Sequence, residues 1–217
     1  MTSCSYTAVV DFTHPIQAVI PGVPGRVLAV LVETTAELSL RTIARLARVS
    51  PAQASRVLPR LVELGLIQRR EVPPSALFRL VPEHLTARPL ADLAGARDRL
   101  LEEMKRAAGA LPVAPAGVIL FGSLARGEAD AQSDIDVVMV RPANVSRDDE
   151  EWWFSLQQWS DAVRRVSGNR VEVLEIGMDE IRARLAGRQP VWRDIRRDGV
   201  VVFGLGLEEL ASPEADA

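Results

Sequence analysis

Two carboxylates one residue apart, Asp134 and Asp136, open an apolar run in the segment FGSLARGEADAQSDIDVVMV, residues 121–140. Strand side chains alternate, so both aspartates share one face while Ile135 and Val137 take the other. Two like charges brought this close repel, and one must be protonated or countered. A divalent cation is the natural counter. Mg2+ prefers oxygen ligands and is usually held by one or two carboxylates plus substrate phosphates. A bare Asp-x-Asp is read first as an acidic strand start, but the preceding loop changes that reading. Gly122 follows an apolar strand and Ser123 opens a short helix. Such a turn lets backbone N–H groups approach an anion, and a helix N-terminus favours negative charge. Ser123 adds a hydroxyl donor, and Arg126 adds a mobile cation one turn later. A surface ion pair is the equal alternative for Arg126. Together the parts describe a triphosphate beside metal ions.

These residues lie in a zone that alternates apolar strands with helices, residues 113–217. GVILFG is a buried strand, SLARGEA opens a short helix, and SDIDVVMVRP is a strand stopped by Pro142. SRDDEEWWFSLQQWSDAVRRVSG is a helix, acidic at its start and basic at its end as the macrodipole prefers. NRVEVLEI is a third strand, MDEIRARLAG and PVWRDIRRDG are helical, and VVVFG is a last strand. Trp152 and Trp159 fall on one helix face and are expected in the core, not as base-stacking platforms.

Phe121-Gly122-Ser123, about ten residues, then Asp134-Ile135-Asp136 resembles the signature of the nucleotidyltransferase superfamily that includes DNA polymerase beta and the minimal nucleotidyltransferases. The ARGEA…SDID form is similar to the minimal, prokaryotic branch. The resemblance implies a mixed sheet packed with helices. It also implies two Mg2+ ions and transfer of a nucleoside monophosphate from an NTP, with ATP the expected donor, by two-metal in-line displacement. The family carries a third carboxylate on a later strand, in an apolar-acid-apolar triplet. VEV puts Glu172 in that role, with Glu175, three residues on, as the alternative. Asp134, Asp136 and Glu172 would then be the catalytic and metal-holding residues. Gly122, Ser123 and Arg126 would bind the nucleotide phosphates.

The N-terminal zone, residues 1–87, reads differently. HPIQAVIPGVPG, broken by prolines and glycines, is expected to be extended. RVLAVLVETTAEL and SLRTIARLARVS have helical spacing, the second with Ile43, Leu46 and Ala47 on one face. SPAQASRVLPRLVELGLI has Ser50 as N-cap and Pro51 at the first helical position, and Gly65 ends it. Val57, Leu58, Leu61, Val62 and Leu64 are its expected buried side, and Pro59 favours a kink. LIQRREV and ALFRLVP then form a hairpin. Three helices and a hairpin resemble a winged helix-turn-helix, whose second motif helix usually enters the DNA major groove. Gln53, Ser55, Arg56 and Arg60 would face DNA there, with Arg69, Arg70 and Arg79 on the wing. A docking or dimerisation module is the competing reading. Residues 88–112 are expected to form one linking helix, with Leu93, Ala96, Leu100, Met104 and Ala107 at helical spacing and a Glu102–Arg106 pair.

The expected class is therefore α+β in two domains. The chain has 217 residues and a formal net charge of -3, so any nucleic-acid surface must be local. The single cysteine, Cys4, excludes an internal disulfide and a Cys-rich zinc site. A reducing cytoplasm fits, and no membrane span or signal peptide is expected. The acceptor stays open between a protein hydroxyl, an RNA end and a small molecule. Minimal relatives often serve as antitoxins that modify a toxin, which makes a toxin one candidate partner and a second copy of this chain another. The rival function is a DNA-binding regulator whose nucleotidyltransferase domain senses nucleotide without turnover.

Overall fold

Capping chemistry sets where helices begin in the N-terminal half. Ser50 Oγ accepts from Gln53 N at 3.1 Å and Gln53 Oε1 accepts from Ser50 N at 2.9 Å, a reciprocal capping box. The helix it opens, α4, spans Pro51–Glu63. Its end is a Schellman motif: Leu66 N donates to Leu61 O and Gly65 N to Val62 O, with Gly65 at φ +72. The computed structural model describes residues 11–130 and 132–212. Cys4 and the acidic tail beyond Ser212 lie outside the described residues. The chain divides into two units, residues 14–97 and residues 98–212 joined by 11–13.

The first unit is a winged helix-turn-helix. Its elements are α1 (Pro15–Val19), α2 (Val23–Val32), β1 (Leu38–Ser39), α3 (Leu40–Leu46), α4, β2 (Ile67–Val72), β3 (Ser75–Leu80) and α5 (Ala87–Ala94). The sheet has three antiparallel strands in the order β1-β3-β2, so the hairpin gains a strand that the sequence does not announce. Val27, Leu28, Leu31, Ile43, Leu58, Leu61, Ile67 and Phe78 form its core.

Several expectations need correction here. HPIQAVIPGVPG is not extended: it contains α1 and the start of α2. Pro15 and Pro24 stand in first turns, where a proline costs no hydrogen bond. Gly25 is needed because a Cβ there would collide with the Ile20 carbonyl as α1 meets α2. Leu46 and Leu64 are exposed, and Ala44 takes the buried place. α4 runs unbroken through Pro59, which is exposed, so its lost bond faces water. The expected linking helix is two helices, α5 and α6 (Ala96–Gly109), parted at Gly95. Arg106 pairs with Glu103, not Glu102.

The second unit carries the mixed sheet. β4 (Gly117–Phe121), β5 (Ile135–Arg141), β6 (Val171–Gly177) and β7 (Val200–Gly204) order as β6-β5-β4-β7. β5 is antiparallel to β4 and parallel to β6. The helices are α6, α7 (Gly122–Arg126), α8 (Glu150–Ser167), α9 (Met178–Ala186), α10 (Pro190–Asp198) and α11 (Leu207–Ala211). One sheet face, with Ile119, Val138, Val140 and Ile176, packs on Ile181, Leu185, Trp192, Ile195 and Leu210 of α9–α11. Val118, Leu120, Ile135, Val137 and Met139 alternate to the other face and are buried too. Trp152 and Trp159 are fully buried, and Trp159 Nε1 donates to Met104 O at 3.1 Å, as core residues should. Each buried Val, Leu or Ile contributes about 1.5–3 kcal/mol. That apolar sum lets β5 hold two carboxylates at its mouth. Among the described residues no helix is long and apolar enough to cross a membrane.

Candidate active site

Register brings the carboxylates together. Asp136 stands opposite Phe121 on β4 and level with Glu172 on β6. Alternation puts Asp134, Asp136 and Glu172 on one face, the face that continues through Val138, Val140 and Ile176 into the α9–α11 core. Each of the three is half-buried. Glu175 alternates to the opposite face. There it accepts from Arg141 Nε at 3.0 Å in a nearly buried ion pair, with side chains 13% and 10% exposed. The geometry thus separates the two glutamates that the sequence left open: Glu172 joins the aspartates and Glu175 holds Arg141.

Gly122 closes the other side. The chain turns at φ +75 immediately after Phe121, into the left-handed region that favours glycine. A Cβ there would collide with Asp136 Oδ2 and lie 3.2 Å from its Cγ. Backbone and carboxylate are therefore packed face to face. No side chain caps the start of α7, and Ser123 follows at its first turn.

The arrangement is electrostatically unrelieved. Burial, then the charges of Asp134 and Glu172, push the Asp136 carboxyl above its ordinary range, against a smaller downward pull from Arg126. Arg126 itself donates from Nε to Glu128 Oε2 at 2.7 Å. Asp194 and Asp198 of α10 lie close enough to act on its charge, and α10 packs on α7. Sequence reasoning overlooked Glu128, these α10 acids and Arg170. Arg170 Nη2 lies 2.6 Å from Glu172 Oε1. Its two-residue spacing from Glu172 was the available signal.

The residues suit a hard divalent ion. Three oxygen donors share a face, their charges oppose one another, and glycine leaves one carboxylate flank uncovered by a side chain. Among the described residues no three His, Cys, Asp or Glu side chains are gathered to grip an ion, and Glu172 is turned to Arg170.

A family model for the nucleotidyltransferase domain matches residues 97–204. The chain carries a nucleotidyltransferase domain. The match takes in β4 to β7 and every residue of the carboxylate face. A search of curated proteins returns no match. Among solved structures, a MarR family transcriptional regulator from Silicibacter pomeroyi is similar at 28% identity, with a TM-score of 0.32. That match covers 40% of this chain and 64% of the regulator, so the chain spans somewhat under two thirds of its length. A Sulfolobus solfataricus protein provisionally described as a nucleotidyltransferase is similar at 22% identity, over 49% of this chain and 81% of that one, with a TM-score of 0.28.

Outside the nucleotidyltransferase domain, the residues expected to meet DNA do not act as one group. Gln53 serves the capping box, and Ser55 Oγ donates to Ala52 O at 2.9 Å. Arg69 pairs with Glu71 at 2.7 Å. Arg70 Nε donates to Glu37 Oε1 at 3.0 Å, and Arg79 Nε to Gln68 Oε1 at 3.0 Å. Arg56 and Arg60 are exposed and pair with no carboxylate among the described residues.

Proposed function

We propose that the protein transfers a nucleoside monophosphate from an NTP, with ATP the expected donor, to a hydroxyl acceptor in a Mg2+-dependent reaction. The observation that carries this is the convergence of Asp134, Asp136 and Glu172 on one face, with Gly122 set against Asp136. Mg2+ held by these carboxylates would supply positive charge to the phosphates and activate the acceptor hydroxyl. The backbone of Gly122 and the hydroxyl of Ser123 would hold the β- and γ-phosphates. Arg126 joins them by leaving Glu128, an exchange that an exposed pair permits. In the reaction the acceptor oxygen bonds to the α-phosphorus and the bond to the β-phosphate bridge oxygen breaks. The hydroxyl proton passes to a carboxylate of this face, for which Glu172 is the candidate, and pyrophosphate leaves.

The test is transfer of α-labelled NTP by the full chain with Mg2+. Asp136→Ala should lower transfer by about a thousand-fold, the scale of removing an electrostatic anchor of the transition state. Unchanged transfer would end the catalytic reading and leave nucleotide sensing without turnover. The fused winged helix favours a macromolecular acceptor, either an RNA end or a protein hydroxyl on a partner, as in an antitoxin acting on its toxin. Mass spectrometry of co-purified proteins for one added mononucleotide tests that choice. Arg56 and Arg60 are the side chains we assign to DNA contact in the winged helix.

A further inference from the structure

We propose that Arg170 is the resident counter-ion of the carboxylate face and competes with the divalent ion for Glu172. The inference rests on the reading of that face as the metal site. Arg170 immediately precedes β6, and its carbonyl accepts from Ile135 N at 2.8 Å, which anchors its backbone at the mouth of the β5–β6 ladder. Ile135 is level with Val171, so the residues before them, Asp134 and Arg170, stand side by side where the adjacent strands begin. Alternation places Arg170 on the face of Glu172. The result is a grid of two rows, Asp134 with Arg170 and Asp136 with Glu172: three negative charges and one positive.

The cation of this grid is committed to the third carboxylate. Arg170 Nη2 lies 2.6 Å from Glu172 Oε1, with side chains 74% and 46% exposed. The other nearby arginines are engaged elsewhere, Arg126 with Glu128 and Arg197 with Asp194 and Asp198. An exposed pair of this kind is weak. It offsets like-charge repulsion while no metal is bound, yet a doubly charged ion coordinated by three carboxylates displaces it readily. Arg170 therefore sets the concentration of metal at which Glu172 changes partner, and is a positioning residue for that side chain.

The test is Mn2+ binding to the full chain without NTP, read from the free ion by electron paramagnetic resonance. Arg170→Gln removes the competitor and should tighten Mn2+ binding about two- to five-fold, the range that an exposed ion pair spans. Arg170→Lys keeps the charge without the planar fork and should fall between. Arg164→Gln, an exposed residue of α8, makes the same change in net charge and should leave the dissociation constant within error. Equal or weaker binding by both Arg170 variants, with wild type binding Mn2+ and Asp136→Asn losing it, overturns the proposal alone. No Mn2+ binding by wild type overturns the metal-site reading and the proposal with it. An equal gain in Arg164→Gln reduces the effect to net charge and also overturns it.

Discussion

The two units treat their polar residues in opposite ways. In the winged helix most of the side chains expected to face DNA already have an intramolecular task. Gln53 and Ser50 cap the start of a helix, Arg69 and Arg70 meet glutamates, and Arg79 meets Gln68. In the nucleotidyltransferase unit Asp134, Asp136 and Glu172 are brought together at the cost of mutual repulsion, and Asp136 is pushed towards its neutral form. Satisfied polar groups stabilise; groups held in conflict are kept for chemistry. That contrast favours the second unit as the place of the chemistry; of the side chains expected to meet DNA in the first, Arg56 and Arg60 pair with no carboxylate among the described residues.

The sharpest way to break the comparison uses two glycines of similar backbone. Gly122 has φ +75 with Asp136 against it, and Gly127 has φ +69 with nothing within 4 Å of a Cβ. Each alanine would cost about 1–2 kcal/mol of left-handed strain. Only Gly122→Ala should also displace the Asp136 carboxylate, and it should lower nucleotide transfer by about a hundred-fold or more. Gly127→Ala should leave transfer within a few-fold. Equal losses would mean that strain, not the carboxylate contact, explains Gly122.

A second prediction concerns stability without metal. The Asp136 carboxyl is raised above its unfolded value, so its contribution to folding is most favourable below the ordinary aspartate range. It is lost as pH rises through the raised value. At neutral pH in chelator, Asp136→Asn should therefore melt higher than wild type, by on the order of a few degrees. The gain should fade as pH falls through the raised value, where wild-type Asp136 protonates. A variant that melts lower at neutral pH would contradict the picture of a site in conflict.

The smallest effect is sought in the winged helix. If Arg56 and Arg60 meet phosphate, replacing both by glutamine should reduce the salt slope of duplex binding by roughly 2. Arg70→Gln should leave the slope unchanged, because Arg70 is held by Glu37. An equal effect from Arg70 would remove the distinction between committed and uncommitted arginines. Absence of duplex affinity at low salt would remove the DNA role.

Much of the architecture was legible because it depends on local signals. The Ser50-Pro51 start, the Gly65 stop and the apolar runs of β4 and β5 are short-range features. So is the alternation that pairs Asp134 with Asp136. HPIQAVIPGVPG misled because prolines that break a helix inside it begin one at its first turn, and the letters do not say which. Leu46 and Leu64 misled because the third wing strand and the helix ends decide which flank faces the core.

The sequence by itself determined the chemistry on offer: two aspartates on one strand face, a Gly-Ser turn before them, and glutamates on a later strand. Local alternation and backbone preference suffice for that. Only the tertiary structure shows which glutamate shares the face of the aspartates, Glu172 and not Glu175, because that depends on the parallel register of β5 with β6, a contact across more than thirty residues. The same register brought Arg170 level with Asp134, and the antiparallel pairing of β4 with β5 set Gly122 against Asp136. A sequence shows how side chains alternate along a strand, but which charge stands beside which is fixed when strands pair.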